Sequence, residues 1–262
     1  MNYFVDEKSI VRHIWKNTDC VLLIFAGSAA EFALNKAVDW LYFTGKIPSQ
    51  PLERLFSTVE YAQKIVFAEN DRALATIDSI TKIHQNVEKS RRQTIPDWAY
   101  RDVLYMLIDY SIRSYELLER KLETSEKEEI FDVFNRLGLR MGLKNLPKNF
   151  NEWSIDRNYH LENDLQKGEF TVHLFEQYKI HLGSTRYFIL LQIQHILVPK
   201  IVYKQLFKHS FFPTFFILQL YKIGRIIQLD QLIKSLVLPE KYKEELSKIG
   251  KFEKAQNHLS HY

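Results

Sequence analysis

His84 stands where a plain core helix would carry a leucine. Ala73, Ile77, Ile80, His84 and Val87 follow one another at steps of four, three, four and three. That spacing puts all five on one face of an α-helix, so the imidazole points where the apolar side chains point. A buried imidazole needs a partner at each ring nitrogen or suffers the cost of desolvation. A backbone carbonyl, a second side chain or a metal could serve. The residues alone leave two readings open, a packed core histidine and an iron ligand.

Other chemistries are eliminated by what is missing. None of the nine histidines has a Glu three positions before it, so a di-iron carboxylate bundle fails. There is no His-Glu-x-x-His, and Cys20 is the sole cysteine, which rules out a zinc knuckle and an internal disulfide. A lone cysteine also fits a reducing compartment. Glycine-rich phosphate loops and a serine nucleophile elbow are absent. His258 and His261 fall in a polar tail, where their spacing says little. What survives is a single buried histidine in an aromatic-rich chain, the least a protein must offer a haem iron.

The elements that would position this histidine are read from composition and punctuation. The chain has 262 residues, 46% hydrophobic and 26% charged, with only eight glycines and seven prolines. This is the balance of a globular protein built from long helices. A net charge of +4, from 36 basic and 32 acidic residues, gives no cationic stripe for nucleic acid. The densest basic spot, Lys89, Arg91 and Arg92, reads as a solvated helix end. Asp6, Glu7 and Lys8 leave no apolar leader core near Met1, which predicts a cytoplasmic protein. The longest apolar stretches, Tyr187 to Val198 and Phe211 to Leu220, are shorter than the ~20 residues a bilayer needs. They read as buried helices first and as a peripheral membrane contact second.

We predict helices over Cys20 to Trp40, Pro51 to Phe67 and Asp71 to Ser90. A fourth runs from Trp98 to Lys121 with Asp97 as its N-cap. A fifth starts at a Ser125–Glu128 capping box and ends at Gly142. Pro147 to Glu152 reads as a loop. Further helices are expected near Glu169 to His181, Thr185 to Phe207, Thr214 to Ser235 and Glu240 to Ile249. The fold is therefore all-α, a single-domain helical bundle over residues 1–262, with its core at about 20–249 and a frayed tail at 250–262.

Ordered motifs then point to a family. Gln50-Pro51-Leu52-Glu53-Arg54-Leu55-Phe56-Ser57-Thr58 resembles the Asp-Pro-x-x-Arg-Leu-x-x-Thr signature of the MpaB and rubber oxygenase (latex-clearing protein) catalytic domain. Ile83-His84-Gln85-Asn86-Val87 resembles that family's Ile/Leu-His-x-x-Val motif. Asp109-Tyr110-Ser111-Ile112-Arg113-Ser114-Tyr115-Glu116 is similar to its Asp-Ser-x-x-Arg-x-Tyr-Glu stretch. Leu122 with Ser125-Glu126, Met141-Gly142-Leu143, Leu146-Pro147 and Leu236-Val237-Leu238-Pro239 follow in the family's order. Together these span roughly Ala26 to Glu245.

The resemblance implies a haem-type pocket between helices. It implies a haem b-dependent oxygenase acting with dioxygen on a hydrophobic, isoprenoid- or lipid-like substrate. Residue by residue, His84 falls on the proximal iron ligand, and Arg54 and Thr58 fall on positions at the haem edge and distal pocket. Arg54 and Thr58 are four apart and share a helix face. The guanidinium could pair with a propionate, and the hydroxyl could bond a second propionate or an iron-bound ligand. Apart from the resemblance, Arg54 reads as a salt-bridge residue and Thr58 as a helix residue bonding its own i−4 carbonyl. Asp109, Arg113 and Tyr115 read as a buried polar network. Ser57 stands where rubber oxygenases carry a distal lysine. His195 is the alternative iron ligand. The alternative function is a non-catalytic lipid- or partner-binding protein of the same lineage that has lost haem, using Phe211, Phe212, Phe215 and Phe216 as its contact patch.

Overall fold

The computed structural model describes residues 2–43 and 51–207, apart from the side chains of Pro51, Leu52, Arg54 and Leu55. Among these the backbone forms ten helices: α1 (Ile10–Lys16), α2 (Thr18–Phe32), α3 (Asp39–Phe43), α4 (Pro51–Val66), α5 (Asn70–Arg91), α6 (Asp97–Leu118), α7 (Thr124–Arg140), α8 (Phe150–Asn163), α9 (Glu169–Leu197) and α10 (Lys200–Leu206). The fold is all-α, as the sparse glycine and proline predict. Among the described residues no helix is long and apolar enough to cross a membrane. The expected helices at Thr214 to Ser235 and Glu240 to Ile249, the four phenylalanines and the tail lie outside the described residues.

Helices α2 and α6 are the axis of the bundle. α2 reads Thr-Asp-Cys-Val-Leu-Leu-Ile-Phe-Ala-Gly-Ser-Ala-Ala-Glu-Phe and is buried along nearly its whole length. Asn17 starts it, its side-chain oxygen accepting the Asp19 and Cys20 amides at 2.9 and 3.2 Å, which satisfies two of the donors a helix start leaves open. A Cβ on Gly27 would lie 2.3 Å from the Tyr110 ring. Only glycine lets the two backbones approach this closely. Trp15, fully buried, adds the end of α1 to the same core. Its indole donates to Ser111 Oγ at 3.2 Å and its carbonyl accepts from Gln63 at 3.1 Å.

A charged cluster crosses this apolar core. Arg157 of α8 donates through both Nη atoms to the two oxygens of Glu31 on α2, at 2.6 and 2.7 Å. It also bonds Asp109 of α6 through Nε (3.2 Å) and Nη2 (3.0 Å). Tyr110 donates to Glu31 at 2.9 Å, and Arg113 donates to Asp109 at 2.7 Å. Arg157 is 4% exposed and Glu31 1%. Burial alone would lower the guanidinium's pKa, but Glu31 and Asp109 outweigh it and hold the group charged. Two guanidinium charges meet two carboxylate charges, so the cluster is neutral as a whole.

Several boundaries differ from expectation, each for a local reason. The helix predicted over Cys20 to Trp40 stops at Phe32, eight residues early. The following turn is held by its backbone: Lys36 N–H bonds the Asp164 carbonyl (2.9 Å) and Gln166 N–H bonds the Leu34 carbonyl (2.7 Å). Asp97 is the first residue of α6 rather than its cap, which is Pro96. α7 starts at Thr124 with Glu123 as its N-cap, not at Ser125. Gly142 follows the end of α7 as expected, with φ +90°. The predicted helix from Thr185 to Phe207 is cut at Val198, driven to extended geometry by Pro199. The predicted break between His181 and Thr185 is a kink at Gly183. Helix α8 was absent from the expectation altogether. Arg91 is more than a solvated helix end: it pairs with Asp39 and stacks 4.1 Å over the Trp40 ring.

Three outcomes test this packing. Gly27→Ala should destabilise the fold by about 1–3 kcal/mol, because Tyr110 is pinned through its hydroxyl and cannot swing aside; a shift in urea midpoint measures it. Arg157→Met should cost about 3–5 kcal/mol, since it leaves the buried Glu31 carboxylate without its cation; the same unfolding curve reads it. The third concerns pH. Arg120 forks onto Glu126 at 2.8 and 2.7 Å, and Glu126 also accepts the Glu123 amide at 2.9 Å. The Arg120 bonds pull the Glu126 carboxyl down from 4.5 to about 2. A depressed acid stabilises above its unfolded value and loses that support as pH falls towards the folded one. Glu126→Gln should therefore flatten the loss of stability between pH 4.5 and about 2, read as urea midpoints across that window.

Candidate functional site

His84 lies on α5, which is joined to α4 by residues 67–69 and packs against it. The face that carries it is graded. Ala73 and Ile77 are fully buried, whereas Ile80, Ile83, His84 and Val87 are half-buried. His84 Nδ1 is itself withdrawn from solvent. The ring meets Tyr100 of α6 edge-on, centroids 5.3 Å apart, and Tyr100 is anchored in turn by donating to Glu88 at 3.3 Å. The imidazole thus meets a partner one helix away, while Ile80 and Val87 flank it on its own face of α5.

Thr58 and Ser57 are half-buried on α4, between the buried Phe56 and Val59. Arg54 sits one turn earlier in the same helix; its side chain lies outside the described residues. At about 1.5 Å rise per residue, His84 stands about 21 Å from the start of α5. Thr58 stands about 12 Å and Arg54 about 18 Å from the end of α4. Arg54 therefore shares the level of His84 in the hairpin, and Thr58 lies nearer the turn. One half-buried imidazole with a nitrogen shielded from solvent is the donor an axial haem site needs. The depression at the far end of α5 is different in kind, lined by Gln85, Glu88, Lys89, Arg92, Gln93 and Thr94. His195 is engaged elsewhere: its Nε2 lies 2.9 Å from the Tyr203 hydroxyl, and its ring packs on Tyr203 and Phe207. Burial lowers its pKa.

A second polar centre lies on α8, one turn beyond Arg157. His160 Nδ1 is 2.6 Å from Asp102 Oδ1 of α6 and 2.8 Å from Asp164 Oδ2 at the end of α8. Its Nε2 faces Asp156 Oδ2 at 3.8 Å. Asn35 holds Asp102 from the other side, donating through Nδ2, while its own oxygen accepts the Ala37 amide at 2.8 Å. Tyr105 donates to Asp156 at 2.6 Å. Burial would depress His160, but the Asp102 hydrogen bond and the fields of Asp102, Asp156 and Asp164 raise its pKa. Burial also raises Asp102, against the pull of its His160 and Asn35 bonds. Both partners hold protons more tightly than usual, as expected where negative charge exceeds positive.

A search of the sequence for Glu-x-x-His passes over this centre. The signal it does carry is Asp156-x3-His160-x3-Asp164, three titratable groups at i, i+4 and i+8 on one helix face. Asp102 joins them only through the fold. Arg157 and Glu31, separated by 126 residues, had no local signal at all.

Among curated proteins and among solved structures, no significant match is found. A family profile does match. Residues 15–154 fit the ER-bound oxygenase mpaB/B'/rubber oxygenase catalytic domain, which takes in α2 to α7 with His84, Arg54 and Thr58, and stops in the first turn of α8, just before Arg157. The matched stretch covers more than half of the 262 residues, and the chain belongs to the mpaB/rubber oxygenase catalytic-domain family.

Proposed function

We propose that the chain is a haem b-dependent oxygenase that uses dioxygen on a hydrophobic, isoprenoid- or lipid-like substrate. The observation that carries this reading is His84, half-buried on the apolar face of α5 with Nδ1 shielded from solvent and the ring edge-on to Tyr100. It lies inside a stretch that matches an oxygenase catalytic domain. In this reading His84 is the iron ligand, Arg54 pairs with a propionate, and Thr58 offers its hydroxyl to a second propionate or to the reaction side. Bound haem supplies the redox chemistry of dioxygen.

The chain's own residues do the rest. Ile80, Ile83 and Val87 exclude water beside the imidazole and favour an apolar substrate. Tyr100 limits how far the His84 ring can turn. Ser57 is neutral, so no cationic side chain stands where rubber oxygenases have their lysine, and the reaction side differs from theirs in charge.

Absorption spectroscopy tests the assignment. After haem loading, the purified protein should show a Soret band, and His84→Ala should abolish it. A wild-type protein without the band overturns the haem reading. A band that survives unshifted in His84→Ala overturns the assignment of His84, and loss of that band in His195→Ala would identify His195 as the ligand.

A further inference from the structure

The two polar centres on α8 differ in their charge balance. Around Arg157, two cations meet two anions. Around His160, three carboxylates surround one imidazole, and among the described residues no Lys or Arg forms an ion pair with Asp102, Asp156 or Asp164. Asp102 and His160 are buried at 3% and 5% side-chain exposure, and Asp164 is mostly covered at 18%. Uncompensated buried carboxylates are costly unless a counter-charge joins them.

The hydrogen count makes the same point. Two carboxylate oxygens converge on one ring nitrogen, Nδ1, at hydrogen-bond distance. A single N–H can point at only one of them well. Meanwhile Asp156 waits on the Nε2 side, fixed by the Tyr105 hydroxyl. At 3.8 Å it acts on that ring nitrogen through its charge rather than through a direct hydrogen bond. Asn35 orients Asp102 directly. Its amide holds one carboxylate oxygen and leaves the other, Oδ1, facing Nδ1.

We propose that Asp102, His160 and Asp164 form a binding site for one divalent first-row transition-metal ion, with Asn35 orienting Asp102. The three ligand atoms lie within 4.8 Å of one another. A metal at about 2.0–2.2 Å from each would space them by roughly 3–3.5 Å, so each carboxylate oxygen would move back from Nδ1 by up to about 0.9 Å, starting from 2.6 and 2.8 Å. One imidazole and two carboxylates suit Zn2+, Fe2+ or Mn2+ rather than a thiolate-seeking ion. The ion ties α8 to α6 next to the Asn35 turn, and it supplies the charge the cluster lacks. The site is separate from His84 and does not depend on haem.

The test uses the full-length, untagged protein, stripped with a chelator and titrated with Co2+. One equivalent should bind with visible d–d absorption, Zn2+ should displace it, and the thermal midpoint should rise in its presence. Asp164→Asn should keep the apo midpoint and helicity but weaken Co2+ binding at least about tenfold. His160→Gln should abolish it. Haem loading should be unchanged in Asp164→Asn, which keeps this result independent of the His84 assignment. Wild-type protein that binds neither ion, with no thermal shift, overturns the proposal. So does Co2+ binding of equal strength in Asp164→Asn and His160→Gln, which would put the metal elsewhere, as at His258 and His261.

Discussion

The contact between Arg157 and the paired oxygens of Glu31 fixes how three helices meet. A planar guanidinium donating to two carboxylates at once tolerates little sliding or rotation. Glu31 lies at the end of α2, Asp109 in the middle of α6 and Arg157 in the middle of α8, so one side chain sets the relative heights of all three. Tyr110 then follows. Its hydroxyl is tied to Glu31, which lays its ring across α2 at Gly27 and leaves no room there for a Cβ. The close crossing of α2 and α6 is thus a consequence of the ion cluster as much as of the apolar side chains around it. Removing charge wholesale from such a cluster often costs little, whereas removing one partner costs much.

The readable and unreadable parts of the chain divide on this point. Helices α4 and α5 were legible almost to the residue, because Pro51 sets a start and the apolar positions from Ala73 to Val87 keep strict helical spacing. Helix α8 was not legible. Its inward positions are Trp153, Arg157, His160 and Leu161, a regular i, i+4, i+7, i+8 series in which half the members are charged or polar. A hydrophobic pattern cannot register a face buried through ion pairs. The early end of α2 was hidden for a related reason. Ala33 to Val38 reads as helix, but Asn35 spends its side chain on Asp102 and Ala37, and the backbone around it bonds the chain beyond α8. Those partners lie far away in sequence. The His84 motif could be found because its signal is local. The Asp102–His160–Asp164 centre has no such local signal, because Asp102 lies 58 residues from His160 and reaches it only through the packing of α6 on α8.

Burial along the α4–α5 hairpin bears on where a ligand can be admitted. Near the turn, Val59, Gln63, Ile65 and Val66 of α4 and Ala73 and Ile77 of α5 are at most 2% exposed, and α4 is seated there on α1 and α9. Towards the other end, from Ile80 onwards, the side chains of α5 are half-buried or exposed. Few buried apolar contacts mean a low cost of local opening. His84 stands at this looser end, while Tyr100 holds its ring from α6. A bundle that needs one rigid polar frame and one yielding seam keeps them on different helices. The frame runs through α2, α6 and α8 and is closed by paired charges; the seam runs along the outer half of α5, where His84 stands and the side chains are only half-buried or exposed.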